Sequence, residues 1–407
     1  MKKINKKYTN TLKLAGKSIS ELVSEYKSFL FDDYLPFIDQ YVFDHEFGGF
    51  KCNTSYSGRN ISTDKRTWYD ARGVWVYSYL YVNLDKDIRY RHNAEKTVAL
   101  LLKVNKEVDK LWPWAYDQKG KPLSEKKPDI YGNLFVAEAL AMYSQAVKDE
   151  KYWEKSKDIL INCMKRYEET EYTYELQYSP DPSFQDAPIV LGHWMIILRV
   201  CTGLLKIKED HVIQNISDKC IDALIEKHQV PPHNLMLEVL NRDMQPVKGA
   251  MSQFVYIGHA IESLWMLMDE ARRRKDTHLF DVSAERFKKH VEVAWDDVYG
   301  GVFHCLNDIE ANAWDLNKVL WAQHEVLIGL LILIDHKKDA WAIEFYDEMY
   351  NYVVSNFVQK DRFLKPWKIG GNRHIFKKGE GERIENYHHP RSLMMGLGYL
   401  NNLLIKN

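Results

Sequence analysis

A chain of 407 residues with 45% apolar side chains holds ample material for a large core, and a formal net charge of −1 supplies no global field to attract nucleic acid or an anionic membrane. Five cysteines, an odd number with no C-x-x-C spacing, argue against a disulfide framework and a structural zinc site, and they fit the reducing cytoplasm. The unusual figure is the 13% aromatic content, with 12 Trp and 25 Tyr, since a flat apolar face with a polar edge suits the C–H faces and hydroxyls of a sugar.

The N-terminal stretch MKKINKKYTNTLKLAGKSI is basic, but Lys13 and Lys17 break its apolar residues, so it lacks the continuous run of a secretory signal. No segment reaches the apolar length that crosses a bilayer, and the sequons at Asn53, Asn60 and Asn215 therefore carry little meaning. From there the periodicity is helical nearly throughout. Ile19, Leu22, Val23, Tyr26, Phe29 and Leu30 form one buried stripe. Similar amphipathic stretches follow near 91–107, 150–167, 209–228, 276–295 and 338–357. Between them lie six richer apolar runs, starting at Gly73, Leu134, His193, His259, Val319 and Arg391. A helix that is apolar nearly all round must be buried all round. The alternation predicts an all-α, double-layered ring over residues 1–407 as one domain, with the apolar helices inside and short β-hairpins at one end.

A repeat runs through the ring. One residue near the start of each inner helix, taken as Arg72, Tyr131, His193, His259, Gln323 and His388, gives steps of 59, 62, 66, 64 and 65 residues. Asp44 to Phe50, with its Gly48-Gly49 pair, recurs as Asp296 to Val302 with Gly300-Gly301. Lys65 and Trp68 match Lys318 and Trp321, which leaves Arg72 and Glu325 at equivalent places. In a closed ring, helices of one direction start at one mouth. Arg72, His193, His259, Glu325 and His388 are thus expected to converge on one cavity.

His259 and Glu262 stand three apart in GHAIESLW and share a helix face, so Glu262 is expected to orient the imidazole for proton transfer. An ordinary helical contact is the bland alternative, and metal ligation would require a second such pair that His388-His389 does not supply. His388 precedes Pro390 at the lip of the last inner helix. Arg72 sits among Trp68, Tyr69 and Trp75, with an ion pair to Asp70 or Glu325 as its structural alternative. Gln323, Glu325 and His193 are single polar residues within buried runs, each open to a purely structural role.

These residues carry a resemblance. The segments DKRTWYDARGVWVYSYLY, GHAIESLW, KVLWAQHEVL and YHHPR, in this order and at these distances, resemble the N-acylglucosamine 2-epimerase family, which includes cellobiose and D-mannose 2-epimerases. IYGNLFVAEAL, LGHWMIILR, FVYIGHAIE and HVEVAWDDVYGGVF look nearest the D-mannose branch. The resemblance implies an (α/α)6 barrel, in agreement with the six-step count. It implies His259 and His388 as catalytic bases and Arg72 as the cation at the substrate's carbonyl end. It further implies pocket contacts from Tyr131, His193, Glu262, Trp321, Gln323 and Glu325. Leu320 departs from a Trp-Trp pair common in the family, and His389 adds a second histidine beside His388.

The expected reaction is interconversion of aldoses at C2, D-mannose and D-glucose foremost, through an enediolate and with two histidines as acid and base. No metal or nicotinamide is called for, and no dinucleotide fingerprint or P-loop is present. A small sugar is the expected partner, with a homodimer left open. The alternatives are an N-acylglucosamine or cellobiose 2-epimerase, an aldose–ketose isomerase on the same site, a glycoside hydrolase using two of Asp44, Glu46, Asp70, Glu238 and Glu325, and a ring that binds without turnover.

Overall fold

The structure, a computed structural model, describes residues 12–123, 126–357, 368–369 and 383–406. Most of the basic N-terminal stretch, residues 1–11, lies outside them. Among the described residues, twelve helices of nine residues or more alternate between two layers. In chain order they are α1 (Ile19–Lys27), α2 (Thr67–Tyr79), α3 (Ile88–Val104), α4 (Ile130–Val147), α5 (Glu150–Glu168) and α6 (Leu191–Ile207). They continue as α7 (His211–Asp222), α8 (Ile257–Arg274), α9 (Thr277–Ala294), α10 (Leu320–Lys337), α11 (Ala340–Phe357) and α12 (His388–Lys406). The even-numbered helices pack side by side as the inner ring, and the odd-numbered ones cover them. This is an (α/α)6 barrel.

Side-chain pattern decides which layer a helix joins. On α10 every residue from Leu320 to Asp335 is buried, as an element enclosed on all sides requires. On α5 only Trp153, Ser156, Ile159, Leu160, Cys163, Met164 and Tyr167 are buried, one stripe at helical spacing. The outer helices α3, α5, α7 and α9 open with the aspartate caps Asp87, Asp149, Asp210 and Asp276, whose carboxylates accept from first-turn N–H groups. The cap at Asp87 starts α3 three residues before the expected position 91. Ring closure falls to the chain before α12. Tyr69 donates its hydroxyl to Ile384 O at 2.7 Å, Asn386 Nδ2 donates to Tyr69 O at 2.9 Å, and the Trp75 and Tyr387 rings meet edge to face.

Short strands gather around the inner-helix starts: β1 (Lys65–Arg66), β2 (Ile189–Val190), β3 (Val239–Leu240), β4 (Val255–Tyr256), β5 (Cys305–Asp308), β6 (Ala313–Asp315) and β7 (Lys318–Val319), of which β1, β2, β4 and β7 run directly into α2, α6, α8 and α10. β3 pairs with β2, and β4, β5 and β6 form an antiparallel sheet in which Tyr256 lies opposite Cys305 and Cys305 opposite Asp315. The residues before α2, α6, α8 and α10 are extended and cap no N–H with a side chain. Their first-turn donors face the mouth of the ring, with the positive ends of the helix dipoles behind them.

The repeat is structural. Lys65 Nζ binds the Asp44 carboxylate at 2.9 Å, and Lys318 Nζ binds that of Asp296 in the same way. Both aspartates also accept two N–H groups of the turn that follows, and Gly48, Gly49, Gly300 and Gly301 all hold φ between 75° and 78°. In one copy Phe50 N donates to Asp70 Oδ1, and in the other Val302 N donates to Gln323 Oε1. The lysines are almost fully buried, so each clamp is an ion pair whose one-sided removal costs about 3–5 kcal/mol.

Candidate active site

All six inner helices contribute their first turns to one cavity of about 160 Å³. Trp68 and Arg72 come from α2, Tyr131 and Phe135 from α4, His193 from α6, His259 and Glu262 from α8, Trp321 from α10, and His388 from α12. Seven of the nine residues named from the sequence therefore meet there. Glu325 lies directly behind the wall, and Gln323 is turned away. Its Oε1 accepts from Val302 N at 2.9 Å, and its Nε2 donates to Val302 O and Val319 O at 2.9 and 3.2 Å. Gln323 thus satisfies the second copy of the turn clamp.

The two imidazoles line the cavity and both pack near Trp321, with ring centroids 5.7 Å (His259) and 5.2 Å (His388) from it. Each is tied back at Nδ1 by a fully buried glutamate, His259 to Glu238 Oε1 at 3.0 Å and His388 to Glu325 Oε1 at 2.9 Å. A carboxylate accepting at Nδ1 fixes the proton there and leaves Nε2 as the basic nitrogen, a tautomer assigned from the hydrogen-bond pattern. The orienting partner of His259 is therefore Glu238, not the expected Glu262. Glu238 sits in the connection before β3, where its backbone also accepts from Leu191 N at 2.8 Å and so fixes the start of α6.

Glu262 instead reaches across the ring to Arg391, which is fully buried on α12 and also binds Glu325 Oε1 at 2.7 Å. Arg391 Nη2 lies 3.1 Å from His388 Nδ1, so guanidinium and imidazole converge as two donors on one carboxylate. Burial pushes the His388 imidazole down to about 3; Glu262 opposes that shift, while Arg391 and Arg72 add to it. His388 is thereby a neutral imidazole at physiological pH. Burial holds His193 at about 3 as well, with its Nε2 3.3 Å from the Tyr172 hydroxyl.

Arg72 has no carboxylate partner among the described residues, neither Asp70 nor Glu325. Asp70 is taken by Phe50 N and the Tyr116 hydroxyl. The guanidinium lies against the Phe135 ring at 4.1 Å, with Tyr387 and Trp68 at 5.0 and 5.1 Å, and its buried Nε has no hydrogen-bond partner. A cation held by aromatic faces keeps its charge available to a ligand. Two glycines allow the close packing: a Cβ on Gly192 would stand 2.8 Å from His259 Cε1, and one on Gly258 2.1 Å from the Trp321 ring.

Among the described residues, two groups of three side chains have ligand atoms close enough for a metal, Glu262/Glu325/His388 and His304/Cys305/Asp315. The Arg391 guanidinium already supplies the cation in the first. In the second, both ring nitrogens of His304 have protein partners, Asp315 and Tyr256. None of Asp44, Glu46, Asp70, Glu238 and Glu325 lines the cavity, and among the described residues Glu262 is its single carboxylate, where hydrolysis takes a pair facing the glycosidic bond.

The pattern defining the family described as N-acylglucosamine 2-epimerase (GlcNAc 2-epimerase) matches residues 48–365. The chain belongs to the N-acylglucosamine 2-epimerase family. It is thus an isomerase acting on sugars. A cellobiose 2-epimerase from Dictyoglomus turgidum is 26% identical over 379 residues, covering 86% of this chain and 91% of that protein. Among solved structures, the cellobiose 2-epimerase of Bacillus thermoamylovorans B4167 superposes with a TM-score of 0.80 at 18% identity, covering 93% and 99% of the two chains. A D-mannose isomerase superposes with a TM-score of 0.73 at 15% identity, covering 96% and 97%. Among the described residues, no helix of this family member is long and apolar enough to cross a membrane.

Sequence reasoning missed Glu238 as a partner of His259, and it missed Arg391, Tyr174, Tyr178 and Tyr256. Arg391 was open to detection, since it stands three residues after His388 on one helix face. Glu238 and the tyrosines lie in irregular connections where no periodicity points inward.

Proposed function

We propose that this epimerase interconverts D-mannose and D-glucose by moving the proton at C2 of the open-chain aldose. The observation that carries the reading is the pair of imidazoles, each backed by its own glutamate, that line one cavity. Inversion requires a base on one face of C2 and an acid on the other. His388, held neutral, takes the proton; Arg72 stabilises the charge that moves onto the carbonyl oxygen; His259, oriented by Glu238, returns a proton from the far side. The roles exchange in the reverse direction. Arg72 and the imidazoles each contribute on the order of 10²–10⁴ in rate. A cavity of about 160 Å³ walled by Trp68, Tyr131, Tyr174 and Trp321 favours a single hexose unit. Five free, buried cysteines support action in the cytoplasm.

The test is D-mannose turned over in D2O. Glucose carrying deuterium at C2 is expected, with His388→Ala and His259→Ala each inactive but folded. Unlabelled glucose, or near-full activity of either variant, overturns the proposal. Fructose as the main product would reassign the same enediolate to aldose–ketose isomerisation.

A further inference from the structure

The sheet β4–β5–β6 sets three side chains in a line that the reaction at C2 does not use. Asp315 Oδ1 accepts from Asn317 N at 3.0 Å and from the Asn317 side-chain amide. Its Oδ2 lies 2.7 Å from His304 Nδ1, and His304 Nε2 lies 3.3 Å from the Tyr256 hydroxyl. The backbone holds His304 too, through its N–H to Asn317 O at 2.8 Å. A carboxylate held by two donors that orients an imidazole toward a hydroxyl is the arrangement by which proteins make an O–H a proton acceptor. Tyr256 lines the cavity, stacks on Tyr178 and lies edge-on to His259 with ring centroids 4.5 Å apart. Exposure rises along the line, from a buried Tyr256 to 17% for the His304 side chain and 28% for that of Asp315. The line therefore joins the cavity to solvent at the rim.

We propose that Tyr256 is the catalytic residue that opens the sugar ring, with His304 and Asp315 as its positioning residues. This rests on the epimerase reading, because only the open chain has an acidic C2–H. Burial holds the Tyr256 phenol well above its ordinary pKa, so it rests as O–H facing His304 Nε2. In the step, the Tyr256 oxygen takes the proton of the anomeric O1–H while its own proton passes to His304 Nε2. The O1–H electron pair forms C1=O1, and the C1–O5 bond breaks with its pair going to O5. O5 takes a proton from His259. The sugar loses one proton and gains one, and the two imidazoles reset by exchange with water at the rim.

The experiment follows exchange between the α and β anomers of D-mannose by NMR, beside turnover of [2-²H]mannose. Wild-type protein is expected to speed anomer exchange well beyond buffer. Tyr256→Phe, which keeps the ring stack, should lose about 10²-fold of that acceleration, and His304→Gln about as much. The isotope effect on turnover should fall toward unity in both variants as ring opening becomes limiting. A purely structural lesion slows the C2 step and does not suppress the isotope effect. Wild-type protein that fails to speed anomer exchange, variants that keep it within twofold, or an isotope effect that rises, each overturns the proposal. Deuterium incorporation at C2 without anomer catalysis would sink this inference and leave the epimerase reading intact. The converse result would do the opposite.

Discussion

Replacing Glu238 by Gln separates what the structure says about His259 from what spacing along the helix suggests. The carboxylate sits 3.0 Å from His259 Nδ1 and also accepts from the Tyr178 hydroxyl at 2.7 Å. Hydrogen bonds to charged groups contribute about 1.5–3 kcal/mol and neutral ones about 0.5–1.5, so the amide forfeits on the order of 1 kcal/mol of orientation. It also removes a negative charge beside the ring through which the proton passes, a Coulomb interaction of up to about 4 kcal/mol at 4 Å with an effective dielectric of 20. At about 1.4 kcal/mol per tenfold, kcat should fall between roughly 10- and 10³-fold. Stability should not fall with it, because Glu238 is fully buried, pairs with no Lys or Arg among the described residues, and leaves its Oε2 without a partner. Glu262→Gln should do the reverse in a melt, since it strips one of the two carboxylates from buried Arg391 and costs about 3–5 kcal/mol. Steady-state kinetics on mannose, with thermal melts of both variants, reads the comparison. A Glu238→Gln protein within twofold of wild-type kcat refutes the orienting role.

Three further outcomes follow from the geometry. Gln323→Ala should cost about 1–3 kcal/mol in urea unfolding, by orphaning the backbone groups at Val302 and Val319, with KM for mannose unchanged. Gly192→Ala should lower kcat at least tenfold with little change in melting temperature, because its Cβ meets the His259 ring at 2.8 Å; wild-type turnover would show that the ring yields. Acid should destabilise the fold early. Burial holds His228 and His290 near 4, and His193 and His388 near 3, all below the ordinary 6.5. The unfolded chain therefore binds more protons below about pH 6.5. The stability these groups contribute is full above that pH and is lost toward pH 4, by about 2 kcal/mol each at pH 5. His290 must be neutral to accept from Met236 N at 3.0 Å, so urea midpoints of His290→Gln should depend less on pH between 7 and 5. An unchanged slope refutes that account.

The ring was legible because its signal is local: a stripe or a fully apolar run assigns each helix to a layer without knowledge of its neighbours. Convergence of Arg72, His193, His259 and His388 followed from counting steps. Pairings across the ring did not. His259 and Glu262 do share a face, yet both point inward, and each finds its partner on another element, Glu238 before β3 and Arg391 on α12. Gln323 shows the same limit. A buried polar group must be satisfied, and a ligand or a turn backbone would serve equally in the sequence.

The duplicated clamps bear on the direction in which a sugar lies. Asp44–Lys65 and Asp296–Lys318 hold two like frames, but the position after one carries a guanidinium and its counterpart after the other a carboxylate, Arg72 and Glu325. α2 and α10 stand two places apart in the six-membered inner ring, so a third of a turn of the scaffold would bring one clamp to the place of the other and guanidinium to the place of carboxylate. The ring thus repeats in form and not in polarity. In the proposed reaction, Arg72 beside one frame seats the carbonyl end of an entering aldose, and Glu325 beside the other offers it none.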